Sequence, residues 1–480
     1  RLQEAETAKN SNESLSSEES IFQGIRYFQK KEWESALFIF SRILQQNPLL
    51  PEAYHYRGLT YYFTGKYALS LQDFRQEIQY HPNAIAYFYC GLIENLQEDW
   101  SQSIQDLTQA IRFDPKNVDA FYQRGYAFEQ QGNSEEALQN YQETLQLDAH
   151  YAKAYHQRGQ ILMQRKEWKS ALQDFSEAIR FSPHEEQFYL SRARLKYQLQ
   201  DWEGSLQDLS EILERDSPSA IAYFYRAQIR QEKKDQDGAL EDYQKAIQLD
   251  PKSADFYYSR GSLRYDLQNY REALADLNEC LRLETKKADP YCLRGRIWEK
   301  SNNFTNAIND YSQALLLNPK HQQSRIYRGN LREKIQDLEG ALQDYSSVIQ
   351  LEPDFEAMYH ARAVLLRKLK KLPEAIQDYQ RLTILAPQKA SIWYQLALLC
   401  EEMEQGEETK KYLKQAYLLS PESEYQKKLL DLLLKECKRY FQENDLRKAK
   451  ESLEEFLKFA PSEHPDRARI QKLLQQLHDK

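Results

Sequence analysis

An all-α stack of helical hairpins is what this sequence predicts, and three observations carry that prediction. Glycine and proline are scarce, at 14 and 15 of 480 residues. Small residues return at a fixed period of 34, and most periods close on a proline. Ala, Leu, Gln, Glu and Lys fill much of the remainder, which favours helix over sheet throughout.

The chain opens on RLQEAETAKNSNESLS, polar and without an apolar signal core, so residues 1–16 are expected to be a disordered tail. The period then runs through Gly24, Gly58, Gly91, Gly125, Gly159, Ala193, Ala227, Gly261, Gly295, Gly329, Ala363 and Ala397, in steps of 34, once 33, then 34 nine times. Twelve places after most of these stands a second small residue: Ala36, Ala137, Ala171, Ala239, Ala273, Ala307, Ala341 or Ala375, with Ser70, Ser103 and Ser205 as replacements. Four places further comes a large one, such as Phe40, Phe74, Leu107, Tyr141, Phe175 or Tyr311. Prolines follow at 48, 82, 115, 183, 251, 319, 353, 387 and 421.

Each unit therefore reads as two short helices joined by a polar turn such as QGN at 131–133. The proline ends the second helix because it lacks an N–H and clashes with the preceding turn. Small residues belong where two helices approach most closely, and the large one fills the space beside them. A single hairpin cannot bury its apolar stripe alone, so twelve units over residues 17–421 must stack. A looser thirteenth unit spans 422–462, with Cys437, Ala449, Leu453 and Pro461 in the corresponding places. Its offset of 40 predicts a longer first helix through SEYQKKLLDLLLKECKRYF, and residues 463–480 read as a terminal capping helix with a polar outer face.

Two charged columns run through the units. Arginine stands one residue before the small position, and aspartate sixteen residues later: Arg57 with Asp73, Arg158 with Asp174, Arg192 with Asp208, Arg226 with Asp242, Arg260 with Asp276, Arg294 with Asp310, Arg328 with Asp344 and Arg362 with Asp378. Arg124 faces Asn140 in this register, and Asp106 faces Cys90. Matched columns predict a structural ladder between the helices of each unit rather than an anion site.

The period, the early aromatic at Tyr54, Tyr87, Phe121, Tyr155, Tyr189, Tyr223, Tyr257, Tyr291, Tyr359 and Trp393, the two small columns and the closing proline resemble the tetratricopeptide repeat (TPR) family. The resemblance covers about residues 17–421. It implies a right-handed superhelical α-solenoid of antiparallel helix pairs, with first helices lining a concave groove that binds an extended peptide or a partner helix. In that geometry the groove-facing residues are the second, fifth, ninth, twelfth and thirteenth of each first helix. Early units then present His55, Tyr62, Phe63, Phe88, Tyr122 and His156; later ones present Arg296, Lys300, Lys334, Arg367 and Lys368. Such a groove suits protein partners with aromatic or apolar anchors followed by acidic residues. The Lys and Asn set with which some family members clamp chaperone C-terminal carboxylates is missing, Asn330 standing alone, so that ligand is not expected.

Nothing in the chain reads as catalytic. Its nine histidines are dispersed, and no phosphate loop, dinucleotide fingerprint or nucleophile motif occurs. Cys90, Cys280, Cys292, Cys400 and Cys437 form no CxxC pair or metal-ligand cluster, so neither metal nor cofactor is expected, and reduced thiols fit a cytoplasmic or other reducing compartment. The net charge of −8, with both signs interspersed, gives no reason to expect nucleic acid, and no apolar run reaches the length of a membrane span. The chain begins at Arg, which leaves a preceding targeting segment open, and sequons stand at Asn12 and Asn303. The expected function is a non-enzymatic protein-interaction scaffold; the alternative is a regulatory or substrate-targeting arm of a larger enzyme or complex.

Overall fold

The computed structural model describes residues 17–215 and 219–478; segment 1–16, with Asn12, lies outside them. Among the described residues are 27 α-helices and no strand. The chain divides into two compact units, Arg1–Leu249 and Asp250–Lys480.

The first unit holds seven hairpins. They pair α1 (Ser17–Gln29) with α2 (Trp33–Gln46), α3 (Pro51–Phe63) with α4 (Tyr67–Tyr80), α5 (Ala84–Leu96) with α6 (Trp100–Phe113), and α7 (Val118–Gln130) with α8 (Ser134–Leu147). Then come α9 (Ala152–Gln164) with α10 (Trp168–Phe181), α11 (Glu186–Gln198) with α12 (Trp202–Leu213), and α13 (Ala220–Glu232) with α14 (Gln236–Leu249). The second unit holds six more and a terminal helix. These are α15 (Ala254–Asp266) with α16 (Tyr270–Leu283), α17 (Ala288–Lys300) with α18 (Phe304–Leu317), and α19 (Gln322–Lys334) with α20 (Leu338–Leu351). They are followed by α21 (Glu356–Lys368) with α22 (Leu372–Leu385), α23 (Ala390–Glu402) with α24 (Gly406–Leu419), α25 (Ser423–Gln442) with α26 (Leu446–Phe459), and lastly α27 (Arg467–His478). At 20 residues, α25 is longer than the other first helices, most of which have 13.

Every hairpin turns through one residue with left-handed backbone, φ between 57° and 68° at eleven non-glycine residues and 74° and 83° at Gly65 and Gly132. This residue lets the chain reverse within three positions while still satisfying the first helix's last carbonyls. Gly65 N–H donates to Tyr62 O at 3.1 Å and Lys66 N–H to Tyr61 O at 2.8 Å. The two helices are antiparallel, because contacts nest about the turn: Ser70 meets Gly58, Asp73 meets Arg57, and Glu77 meets His55.

The core of each hairpin is the triplet of columns read above. Ala36, Ala137, Ala171, Ala307 and the large residues Phe40, Phe74, Tyr141, Phe175 and Tyr311 are fully buried. Where serine replaces the second small residue, its hydroxyl donates to the carbonyl of the first, as in Ser70 to Gly58 at 2.7 Å, Ser103 to Gly91 at 2.9 Å and Ser205 to Ala193 at 2.8 Å. The close approach is tightest at Gly91, where a Cβ would stand 2.5 Å from Leu107 Cγ, so the helices could not pack this closely with a larger residue there. Burying one such Phe or Leu contributes about 1.5–3 kcal/mol, and the columns repeat that contribution in every unit.

Candidate functional site

All eight Arg–Asp pairs are bonded in the same bidentate way. Nε donates to Oδ2 at 2.7–3.0 Å and Nη2 to Oδ1 at 2.6–2.8 Å, and each aspartate is buried. The early aromatic lies beside the guanidinium, as with Arg57 and Tyr54 at 5.7 Å, which explains the recurring Tyr-x-x-Arg skeleton. In several units the remaining nitrogen reaches the preceding hairpin: Arg192 Nη1 to Ser176 Oγ at 3.0 Å, Arg294 Nη1 to Asn278 Oδ1 at 2.7 Å, Arg328 Nη1 to Ser312 Oγ at 2.9 Å. Each of these three arginines thus joins its own second helix to the one before. A groove of about 740 Å³ beside α8, α9 and α10 has Arg158 and Asp174 in its wall, already bonded to each other.

Two units depart from the pattern. At Cys90 the guanidinium comes instead from Arg75 on α4, which donates to Asp106 Oδ1 at 3.0 Å and to Glu94 Oε1 at 2.5 Å. Burial, and after it the Asp106 carboxylate, push Glu94 up to about 8. At Asn140 one amide oxygen accepts from Arg124 Nε at 2.8 Å while the amide nitrogen donates to Glu136 O. With no carboxylate opposite, burial holds Arg124 below the usual arginine range.

The groove-facing candidates of the first unit form an aromatic face with one half-buried histidine, His55, and one enclosed one, His156. Phe63 is 53 % exposed and stacks on Trp33 at 6.0 Å. Tyr62 sits edge-on to Phe63 and Tyr89, Phe88 lies against Tyr89, and Tyr122 lies 5.0 Å from Tyr151, its hydroxyl pushed up to about 12 by burial. His55 Nδ1 lies 3.1 Å from both oxygens of Glu77, which also accepts from Asn83 at the start of the next first helix. His156 is 3 % exposed, held between Ser191, Gln157 and Gln160, and burial lowers it to about 4. A neutral, enclosed imidazole offers a partner no surface.

In the second unit Arg296 lies between two rings, 4.7 Å from Tyr265 and 5.1 Å from Tyr327, across three successive first helices. Lys334 stands over Phe304 at 4.8 Å, and Lys300 is exposed without an ion pair. Lys368 donates to Glu333 at 2.6 Å, and Arg367 is bonded to Glu402. Arg296, Lys300 and Lys334 therefore have no carboxylate opposite them, while Arg367 and Lys368 do.

A further column escapes the sequence reading. Where the large residue is tyrosine, its hydroxyl is held by the residue twelve places earlier: Tyr141 by Glu129 at 2.6 Å, Tyr243 by Gln231 at 3.1 Å, Tyr311 by Glu299 at 3.0 Å and Tyr345 by Glu333 at 3.0 Å. Where it is Phe or Leu, an apolar or aromatic residue usually stands there, as Phe28, Met163 and Tyr265 do. Tyr379 breaks the rule, with Arg367 opposite, beside a cavity of about 350 Å³. No group of three or more His, Cys, Asp or Glu among the described residues could hold a metal.

Family models described as tetratricopeptide repeat match residues 118–151, 152–185, 254–287, 292–356 and 390–423, and one described as TPR repeat matches 91–132 and 227–267. Together they span more than half of the chain. The chain belongs to the tetratricopeptide repeat family. Solved structures similar to this TPR chain include the APC/C hetero-tetramer Cut9–Hcn1, at 14 % identity and TM-score 0.37, covering 87 % of this chain and 97 % of that one. Yeast Tom70 is similar at 17 % identity and TM-score 0.37, covering 80 % and 94 %; a tetratricopeptide repeat protein from Parabacteroides merdae is similar at 19 % and 0.40, covering 49 % and 93 %. No curated protein matches. A TPR array is a protein-interaction scaffold, and none of the matching models describes a catalytic family. No helix among the described residues is long and apolar enough to cross a membrane.

Proposed function

We propose that this TPR chain is a non-enzymatic adaptor that holds segments of protein partners along the exposed faces of its first helices. The aromatic face around Phe63, Tyr62 and Phe88 takes apolar anchors, and the face of α17 and α19 takes acidic residues. The observation that carries the reading is the contrast in cation pairing. Eight arginines of the structural column are matched to aspartate, whereas Arg296, Lys300 and Lys334 have no carboxylate opposite them. Unmatched cations on successive first helices, with Lys300 and Lys334 exposed, attract an acidic segment and set its register. Such pre-ordered helices leave most of the ordering cost to the partner segment. Five cysteines that are all free and buried support a reducing compartment, the cytoplasm being the simplest.

The test uses peptides selected from a random displayed library on the intact chain. Lys300→Glu with Lys334→Glu is expected to weaken the acidic peptides about tenfold or more at low salt, and less at high salt. Unchanged affinity removes the cationic face from the account.

A further inference from the structure

We infer that the cavity bounded by α21, α22 and α23 receives a carboxylate side chain of a partner segment, read by the Tyr379 hydroxyl. The inference rests on the scaffold reading above and adds a recognition pocket to it.

Four tyrosines in the same structural place have their hydroxyls bonded to an acceptor twelve residues earlier, at 2.6–3.1 Å. Tyr379 has Arg367 at that place, which carries donors only. The Tyr379 side chain is 2 % exposed, and no protein group accepts from its hydroxyl. The hydroxyl opens onto the cavity rather than being sealed off without a partner, so it stands ready to donate to a group that enters.

The cavity beside it holds about 350 Å³, enough for a side chain. Its wall brings together His360, Arg367, Tyr379, Ser391 and Gln395, with Ile392 and Val364 completing it. The His360 ring stands edge-on to Tyr379, 5.9 Å between centroids. Arg367 spends Nε and Nη2 on Glu402, while Nη1 lies 3.5 Å from Gln395 Oε1, at the limit of a hydrogen bond. Donors therefore converge from a phenol and a guanidinium, with imidazole, amide and hydroxyl groups around them. The arginine's charge is balanced by Glu402, so the pocket suits a monoanion bound by hydrogen bonds rather than a dianion bound by net charge. A carboxylate meets that description better than a phosphate.

Tyr379→Phe tests this without threatening the fold, since it removes a hydroxyl that holds nothing in the protein. Peptides selected on the wild-type chain are resynthesised with each Glu or Asp changed singly to Gln or Asn, and their affinities measured by fluorescence anisotropy for wild type and variant. The expected result is one acidic position whose amide change weakens wild-type binding about tenfold, with the difference mostly gone in Tyr379→Phe. Equal losses in both chains overturn the inference and leave the scaffold reading intact. Failure to enrich any peptide overturns both. Inorganic phosphate is titrated as a competitor. Competition present in wild type and absent in Tyr379→Phe would assign the pocket to a free anion and overturn the carboxylate assignment; its absence supports that assignment.

Discussion

Asn140→Asp should stabilise the protein, and the structure says by how much. In eight units the second carboxylate oxygen accepts from Nη2 at 2.6–2.8 Å; in this one the corresponding Asn140 atom is an amide nitrogen turned to Glu136 O, so Arg124 loses that acceptor. The substitution replaces a neutral acceptor of the guanidinium by a carboxylate and adds a second bond, a gross gain of about 3 kcal/mol. Desolvating a carboxylate at a buried position offsets a good part of it, because Asn140 is buried while Arg124 is already held there as an uncompensated charge. The net expectation is a gain of about 1 kcal/mol. Asp174→Asn, the reverse change in the next unit, should cost about 2 kcal/mol by leaving Arg158 as Arg124 now is. Repeat arrays need not unfold in one step, so the assay is native-state hydrogen exchange of amides in α7 and α8, and in α9 and α10, which reads local opening directly. A loss of protection in Asn140→Asp, or none in Asp174→Asn, would mean that the pairs set register without adding stability.

The tyrosine column and Glu94 give further tests. Tyr311→Phe leaves the Glu299 carboxylate without its donor and should cost about 1–2 kcal/mol, whereas Tyr379→Phe should be neutral or stabilising; equal effects in urea melts would dissolve the distinction between the two hydroxyls. Glu94 is raised from 4.5 to about 8, so the folded chain holds a proton that the unfolded chain releases in that window. Stability should therefore fall as pH rises from 4.5 to 8 and level off above. Glu94→Gln, whose amide can still accept from Arg75 and donate to Asp106, should remove that slope and gain on the order of a few kcal/mol at pH 8, with little change at pH 5. Urea midpoints at both pH values decide it, and an unaltered slope would place the titration elsewhere.

The fold and the family are legible in the sequence because each unit repeats the same contacts at the same separations. Glycine to serine at twelve and arginine to aspartate at sixteen are distances along one hairpin, and one hairpin is visible in 34 residues. The tyrosine–glutamate column was equally visible, at a separation of twelve, but reading it requires comparing the exceptions with the rule. Contacts between hairpins are harder to see. Arg75 replaces the guanidinium missing at Cys90 from 31 residues before Asp106, and Glu402 and Glu333 meet Arg367 and Lys368 across 35 residues. Family geometry places His55 and His156 toward a groove, yet this chain supplies Glu77 with Asn83, and Ser191 with Gln160, around them. Asn83 and Ser191 come from the next hairpin, and none of these partners leaves a periodic trace.

The central claim is that the repeating columns build the array and the variable faces of its first helices bind the partner. Hydroxyl-radical footprinting of the intact chain with a selected peptide tests it most directly. Phe63, Ile85 and Leu96 on first helices, and Phe38, Leu316, Ile384 and Leu418 on second helices, are all exposed in the free chain. The account predicts that a peptide with apolar anchors lowers labelling at the first three and leaves the other four unchanged. Protection of the second-helix residues, with Phe63, Ile85 and Leu96 labelled as before, would contradict it.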